Sequence, residues 1–315
     1  MKKQNGQYVY SPHDLILFME SEFASWMDRY CLEFPRDCAP DDEDEALVLL
    51  QAMGEEHEKA YLSKLIDSGR DVWDIRKQVG DPHSETIEAM RSGKDVIYQA
   101  ALRSGNFAGY ADFLIREPRT STFGDYGYQV WDTKLALNPK PYFLIQLCCY
   151  AEMLEAIQGR RPQSVGIILG NGEPKSFRTD DYFYCYLQLK EAFLEKERLF
   201  DPTKRPDVSK FEECRRWNGF AKKLLEESDH LSAVANIMKV QVKKLARVGI
   251  TTMNALASTE LQHVKDMEPS TLDTLRQQAR LQVQSASLRK PLYELITQNQ
   301  ADPRRGLALL PPLSA

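Results

Sequence analysis

The middle of the chain carries the feature that most limits its fold. Residues 95–102, 107–116 and 128–135 are short runs rich in Val, Ile, Tyr, Phe and Trp, with Ser104-Gly105 and Gly124-Asp125-Tyr126-Gly127 as punctuation. Runs of this length and composition between Gly-rich breaks predict three successive antiparallel strands. The flanks follow a different period. Residues 13–30 place Leu15, Ile16, Phe18, Met19, Phe23, Trp26 and Met27 on one helical face. The acidic cluster Asp41-Asp42-Glu43-Asp44-Glu45 opens a second helix that runs to Ser68-Gly69, its negative charge matching the N-terminal end of the dipole. A helix around 84–92 precedes the strands. After Asn138-Pro139 comes a helix over 140–157, then a compact apolar strand over 163–170 and a helix over 182–199. The order helix, three strands, helix, strand predicts an α/β core, a mixed sheet flanked by helices.

Beyond residue 200 the character changes. Residues 201–206 read as a linker and the rest as helical: 238–247, a tight turn at Val248-Gly249-Ile250, 251–257, and a second pair at 258–267 and 270–285. The expected organisation is an α/β domain over 1–200, an all-helical domain over 201–300, and a tail or linker over 301–315 that contains Pro311-Pro312. With 43% hydrophobic and 28% charged residues among 315, the chain can bury a sizeable core and is not mainly disordered. No run approaches the ~18 apolar residues of a membrane span, and Met1 to Gly6 leads into no apolar h-region. A cytoplasmic protein is expected, with no membrane partner. The formal charge of −5 excludes a uniformly basic coat. The charge is uneven, however: net −9 over 41–90 and net +4 over 201–250, which leaves room for a DNA-facing segment in the second half.

Cys31, Cys38, Cys148, Cys149, Cys185 and Cys214 form no C-x-x-C pair. Without a secretory signal they read as free thiols rather than a disulfide framework, with Cys148 and Cys149 in the core.

The third strand holds Asp132 and Lys134, two apart and therefore on one face. The strand before it holds Asp112, which antiparallel pairing can bring beside Asp132. Charges in apolar strands are costly when unpaired, and a divalent cation would satisfy both carboxylates. His57, on the face of Met53 and Tyr61, is a candidate third ligand. Gln146 and Tyr150 lie one turn apart on the following helix.

The ordered set Gly54-x-x-His57-Glu58, Ala111-Asp112, Asp132-x-Lys134 and Gln146-x-x-x-Tyr150 resembles the RecB-type nucleases of the PD-(D/E)XK superfamily, over residues 10–170. The resemblance implies that superfamily's restriction-endonuclease-like core. His57, Asp112 and Asp132, with the Thr133 carbonyl, would bind Mg2+ or Mn2+. Lys134 would orient or deprotonate the attacking water, while Gln146 and Tyr150 would position the DNA backbone or the lysine. It further implies hydrolysis to 5′-phosphate and 3′-hydroxyl ends, action on free ends or single strands, and a protein partner such as a helicase or effector. Relatives often carry an iron–sulfur cluster on four cysteines. Here the early position is Ser21 and only Cys214 remains of the later ones, so no cluster is expected.

The turn at Gly249, with Lys239, Lys243, Lys244 and Arg247 on or near it, resembles a helix-hairpin-helix, whose amides can hold a phosphate. An ordinary helical hairpin fits the same residues. Arg215, Arg216 and Trp217 fit either single-stranded DNA contacts or a structural scaffold. The expected activity is a metal-dependent DNA exonuclease. Its rivals are a non-catalytic DNA-binding or assembly module of a larger complex and a structure-specific endonuclease.

Overall fold

The structure, a computed structural model, describes residues 1–42 and 45–295. The chain opens with a hairpin, β1 (Lys2–Gln4) and β2 (Gln7–Val9). Asn5 and Gly6 form its turn with φ of 49° and 79°, the paired left-handed conformation that Asn-Gly favours.

Residues 13–30 form two helices rather than the expected single one: α1 (Pro12–Glu20) and α2 (Glu22–Glu33). Ser21 is extended (φ −153°, ψ 103°), and its hydroxyl accepts the Ala24 amide at 3.1 Å as the cap of α2. The apolar period runs through this break, so periodicity does not reveal it. Next come α3 (Glu45–Asp67), β3 (Val72–Asp74) and α4 (Pro82–Arg91). The strands β4 (Val96–Ser104), β5 (Phe107–Glu117) and β6 (Gly127–Thr133) form the expected antiparallel meander. α5 (Pro141–Gln158), β7 (Ser164–Ile168), β8 (Pro174–Arg178) and α6 (Asp180–Arg198) complete the core.

Six strands form one mixed sheet in the order β3-β4-β5-β6-β7-β8, parallel at β3/β4 and β6/β7 and antiparallel elsewhere. On one face α5 buries Leu147, Cys148, Ala151 and Leu154 against Ile97, Leu114, Val130, Val165 and Ile167. On the other, Tyr61 and Leu65 of α3 pack over Val96, Tyr98, Phe113 and Ile115. Each large apolar side chain so buried contributes about 1.5–3 kcal/mol.

The chain divides into two compact units after Asn218, not at residue 200. Residues 201–218 belong to the first unit because they are tied to its N-terminal helices. Trp217 is fully buried and donates its indole N–H to Asp28 at 2.6 Å. Arg216 pairs with the same carboxylate, and Arg215 makes a two-pronged contact with Glu20. For Trp217 the scaffold is the reading observed, since a buried indole offers no face to a base, while the paired Arg215 and Arg216 side chains stay about half exposed. The Ser21 hydroxyl lies 3.6 Å from the Cys214 sulfur, so the two positions singled out by the resemblance do meet in space.

The second unit contains α7 (Asn218–Glu227, beginning at the division), α8 (Lys239–Arg247), α9 (Met253–Ser258) and α10 (Pro269–Leu288). Its core is Leu231, Val234, Leu245, Ile250, Leu256, Val264, Met267, Leu272 and Leu275. The helix expected over 258–267 does not form. After Ser258 the chain is irregular and folds back at Val264 and Met267, with Asp266 left-handed at φ 63°. Both side chains are buried, so burial rather than helix accounts for the apolar spacing there. The tail expected over 301–315 lies outside the described residues. Among the described residues no helix is long and apolar enough to cross a membrane.

Candidate active site

The site is built on a row of residues across β4, β5, β6 and β7. The last bridged pair of β5 and β6 is Phe113 with Trp131, and the next position sets Asp112 opposite Asp132. The ladder stops there. Instead, one Asp112 oxygen accepts both the backbone N–H of Thr133 at 2.9 Å and its hydroxyl at 3.0 Å. Burial pushes the Asp112 carboxyl well above the usual carboxylate range, and the adjacent Asp132 charge adds to the push. Asp132 is itself buried, 2% exposed. Its Oδ2 is met by the Lys134 ammonium, and its carboxyl also meets that of Asp112.

Lys134 follows β6, where its amide donates to the Ile168 carbonyl at 2.9 Å. Burial alone would depress the ammonium. The charges of Asp132 and Asp112 outweigh burial and hold it above its ordinary value. Its Nζ also donates to Gln146 Oε1 at 3.1 Å, so of the two residues expected from α5 it is Gln146 that reaches the centre through this lysine. Tyr150, one turn on, donates its hydroxyl to the Tyr110 carbonyl at 2.7 Å. Burial raises that phenol well above its usual range, so it acts as a donor. A Cβ at Gly109 would stand 3.0 Å from the Tyr150 ring and 3.1 Å from its oxygen. Glycine at 109 is what lets the ring lie against β5.

His57 is placed differently. Its Nε2 lies 3.4 Å from the Ile168 carbonyl on β7, the residue paired with Thr133. The neighbouring residue Glu58 is the one tied to Asp112, through a side chain that sequence reasoning missed. Gln99 of β4 donates Nε2 to Glu58 Oε1 at 2.6 Å and, more weakly, to Asp112 Oδ1 at 3.4 Å. The Tyr98 hydroxyl also meets Glu58, and Arg76 donates to that hydroxyl at 2.8 Å.

Neighbours in a strand normally point to opposite faces. Here Gln99 has φ 53°, in the left-handed region that costs a non-glycine residue about 1–3 kcal/mol. The ladder keeps register on both sides, with Tyr98 opposite Phe113 and Ala100 opposite Ala111, yet the faces exchange. Val96, Tyr98, Phe113 and Ile115 share a core with α3, whereas Ala100, Leu102 and Ala111 share one with α5. Gln99 and Asp112 sit at the exchange. A visible signal existed: Gln99 is the lone polar residue in Val96-Ile97-Tyr98-Gln99-Ala100-Ala101.

Among the described residues no three His, Cys, Asp or Glu side chains are gathered closely enough to hold a metal ion as they stand. The fit to a hard divalent cation therefore rests on Asp112 and Asp132. Two adjacent carboxylates, the buried Asp132 and its neighbour Asp112, are the oxygen donors such a cation takes.

In the second unit, Lys243 and Arg247 of α8 are exposed, while Lys244 donates to the Asp266 carbonyl. Gly249 is left-handed at φ 82°. The amides of Val248, Gly249 and Ile250 all donate back to the carbonyls of Leu245 and Ala246. At the start of α9 the Met253 amide donates to the Asp229 carbonyl, and the Asn254 amide donates to the Asp229 carboxylate. The hairpin's turn amides are thus occupied from within the unit.

No protein-family model matches this chain, and no curated protein matches it.

Proposed function

We propose that the chain is a divalent-metal-dependent deoxyribonuclease with a PD-(D/E)XK core of the RecB-like kind, acting on DNA ends or single strands. The observation that supports this reading most is the Asp112–Asp132 pair with Lys134 lodged against it. An apolar sheet gains nothing in stability from two adjacent, enclosed carboxylates, whereas metal-assisted phosphodiester hydrolysis uses both a cation site and a neighbouring positive charge. Asp112 and Asp132 would hold Mg2+ or Mn2+, which supplies polarisation of the phosphoryl oxygen and acidifies water. Lys134 sets a positive charge beside the carboxylates, where charge develops on the phosphate. Gln146 fixes the lysine through its 3.1 Å contact. Tyr150 holds the β5 backbone just before Asp112 through the Tyr110 carbonyl. His57 and the Thr133 carbonyl complete the proposed ligand set. A helicase-type or effector partner and a cytoplasmic location belong to the same reading.

Exposed Lys243 and Arg247 are proposed to meet DNA phosphates as charges, since the turn amides around Gly249 are already used. Substituting both with alanine should flatten the salt dependence of DNA binding by about 0.9 in log–log slope for each phosphate that is no longer neutralised.

End-labelled single- and double-stranded DNA incubated with Mg2+ or Mn2+ tests the activity. Digestion by the wild type that EDTA and Lys134→Ala both abolish is the expected result. Equal digestion by wild type and Lys134→Ala would place the chemistry elsewhere. Tight binding without cutting would favour the non-catalytic module, and cutting of closed circles an endonuclease.

A further inference from the structure

We propose that the cavity between α4 and the C-terminal end of α5 binds a nucleoside phosphate, with Arg91 and Arg103 on the phosphate and Phe123 against the base. The inference goes beyond the nuclease reading and stands on the chemistry of this cavity alone. Ala156, at its α5 wall, lies about 15 Å along the helix from Gln146, so the cavity is separate from the Asp112–Asp132 centre.

The cavity has a volume of about 620 Å³, within the ~300–1,000 Å³ of small-molecule sites. Arg91 ends α4 and Arg103 lies near the end of β4; both are exposed and both line it. Among the described residues no acidic side chain lines it beside them. Arg103 has no ion pair among the described residues. Asp81, the acid whose charge reaches it, spends its carboxylate on the Ser84 amide and hydroxyl at the start of α4. Arg91 has an exposed partner on its own helix, Glu88 at 2.5 Å, a surface contact that a phosphate can displace. Two like charges lining one hollow gain nothing for the fold, whereas guanidinium forks are the groups that take phosphate.

The rest of the wall suits a flat ring. Ile87, Ile157 and the half-buried Phe123 line it. His83, also in the wall, donates its Nδ1–H to the Ala101 carbonyl at 3.0 Å, which fixes the tautomer and leaves Nε2 for a ligand. These walls are braced before any ligand arrives. The Tyr126 hydroxyl lies 3.0 and 2.9 Å from the Met90 and Arg91 carbonyls, tying the β5–β6 loop to the end of α4. The Thr122 amide donates to the Gln158 carbonyl at 3.1 Å, tying the same loop to α5. Phe123 is held between these ties, its amide donating to the Ser121 hydroxyl at 3.1 Å and its ring stacked on Tyr126. A preformed hollow spends little of its binding energy on ordering. An anionic head on a planar ring, at this size, is a nucleotide, either free or as one unit of a strand.

The test titrates the full chain calorimetrically in EDTA, so that no metal serves the carboxylate centre. The probes are adenosine 5′-monophosphate, adenosine, inorganic phosphate and a short single-stranded oligodeoxyadenylate with a 5′-phosphate. The nucleotide should bind the wild type more tightly than adenosine or phosphate alone. Arg91→Ala and Arg103→Ala should each weaken it by about 10–150-fold, the loss of a charge-assisted hydrogen bond. Phe123→Leu should weaken it by about 5–150-fold, the worth of stacking one base, and leave phosphate binding unchanged. A wild type that binds neither the nucleotide nor the oligonucleotide would overturn the inference, as would unchanged affinity in Arg103→Ala. Phosphate bound as tightly as the nucleotide would also overturn it, since the base would then contribute nothing. Should Phe123→Leu not fold, the comparison of nucleotide with phosphate and the exposed Arg103 still decide. A tightly bound oligonucleotide beside a weak free nucleotide supports the inference with a strand as the source; the reverse supports it with a free nucleotide. Nucleotide binding as expected, with no DNA cut, would sink only the nuclease reading. DNA cut by a wild type that binds no nucleotide here would sink only this inference.

Discussion

Two clusters of enclosed charge lie in the first unit, and they are built on opposite terms. Between the N-terminal hairpin, α2 and α6, Arg29 is 7% exposed and meets Glu197, 8% exposed, at 2.9 Å, and Glu33 at 3.2 Å. The Tyr8 hydroxyl donates to Glu33, the Tyr10 hydroxyl approaches Glu197 at 3.4 Å, and the guanidinium lies 3.5 Å from the centre of the Tyr8 ring. Each charge there has a partner of opposite sign, and the cluster joins three elements. Where the β5/β6 pairing ends, two acids, Asp112 and Asp132, are set side by side, with the Lys134 ammonium against Asp132. The first arrangement holds the fold together. The second stores unfavourable charge against a use that the fold itself does not have.

The largest effect expected is on that second cluster's chemistry. Lys134→Ala should cut DNA hydrolysis by about 10²–10⁴-fold, read from initial rates at saturating Mg2+. The comparison breaks if the rate is unchanged. In the first cluster, Arg29→Ala leaves Glu197 buried without its countercharge, and should cost about 3–5 kcal/mol of stability in denaturant unfolding. Hydrolysis per folded molecule should not change. A loss of activity at full stability would mean that the two clusters are not separate in role.

A third outcome has the opposite sign. Asp112→Asn keeps an oxygen for the Thr133 donors but removes one of two like charges. It should abolish hydrolysis while raising stability by about 0.5–2 kcal/mol in metal-free thermal unfolding. A destabilised Asp112→Asn would mean that the carboxylate pair is structural. The smallest effect concerns acid. The Tyr8 hydroxyl, with burial opposing and Lys3 and Arg29 helping, holds Glu33 below its ordinary value. A depressed carboxylate adds stability above its unfolded value near ~4.3, and that contribution is lost as pH falls through the folded value. Wild type should therefore lose more stability than Glu33→Gln between about pH 5 and 3; parallel curves would remove Glu33 from the network.

Much of the frame was legible because it depends on local pattern. The meander follows from β-rich runs between Gly breaks, and α5 from its apolar length after Pro141. The cross-strand placement of Asp112 and Asp132 follows from antiparallel pairing alone. The Asn5-Gly6 hairpin is equally local, and its dipeptide is the signal that would have found it. Other features depend on partners distant in sequence. The break at Ser21 is hidden because Phe18, Phe23 and Met27 continue one period across it. The attachment of residues 201–218 comes from contacts with Glu20 and Asp28, nearly two hundred positions away.

The sequence by itself determined the helix, three strands, helix, strand order of the core, the two aspartates on neighbouring strands and the lysine two residues on, since period and spacing are properties of the chain. Only the tertiary structure decided that residue 99 turns left-handed, that Glu58 rather than His57 is tied to Asp112, and that the hairpin amides of the second unit are spent internally. A left-handed glutamine is unfavourable on its own. It becomes the stable conformation where Glu58 on a helix and Asp112 on another strand converge on its amide, and no local pattern encodes that convergence.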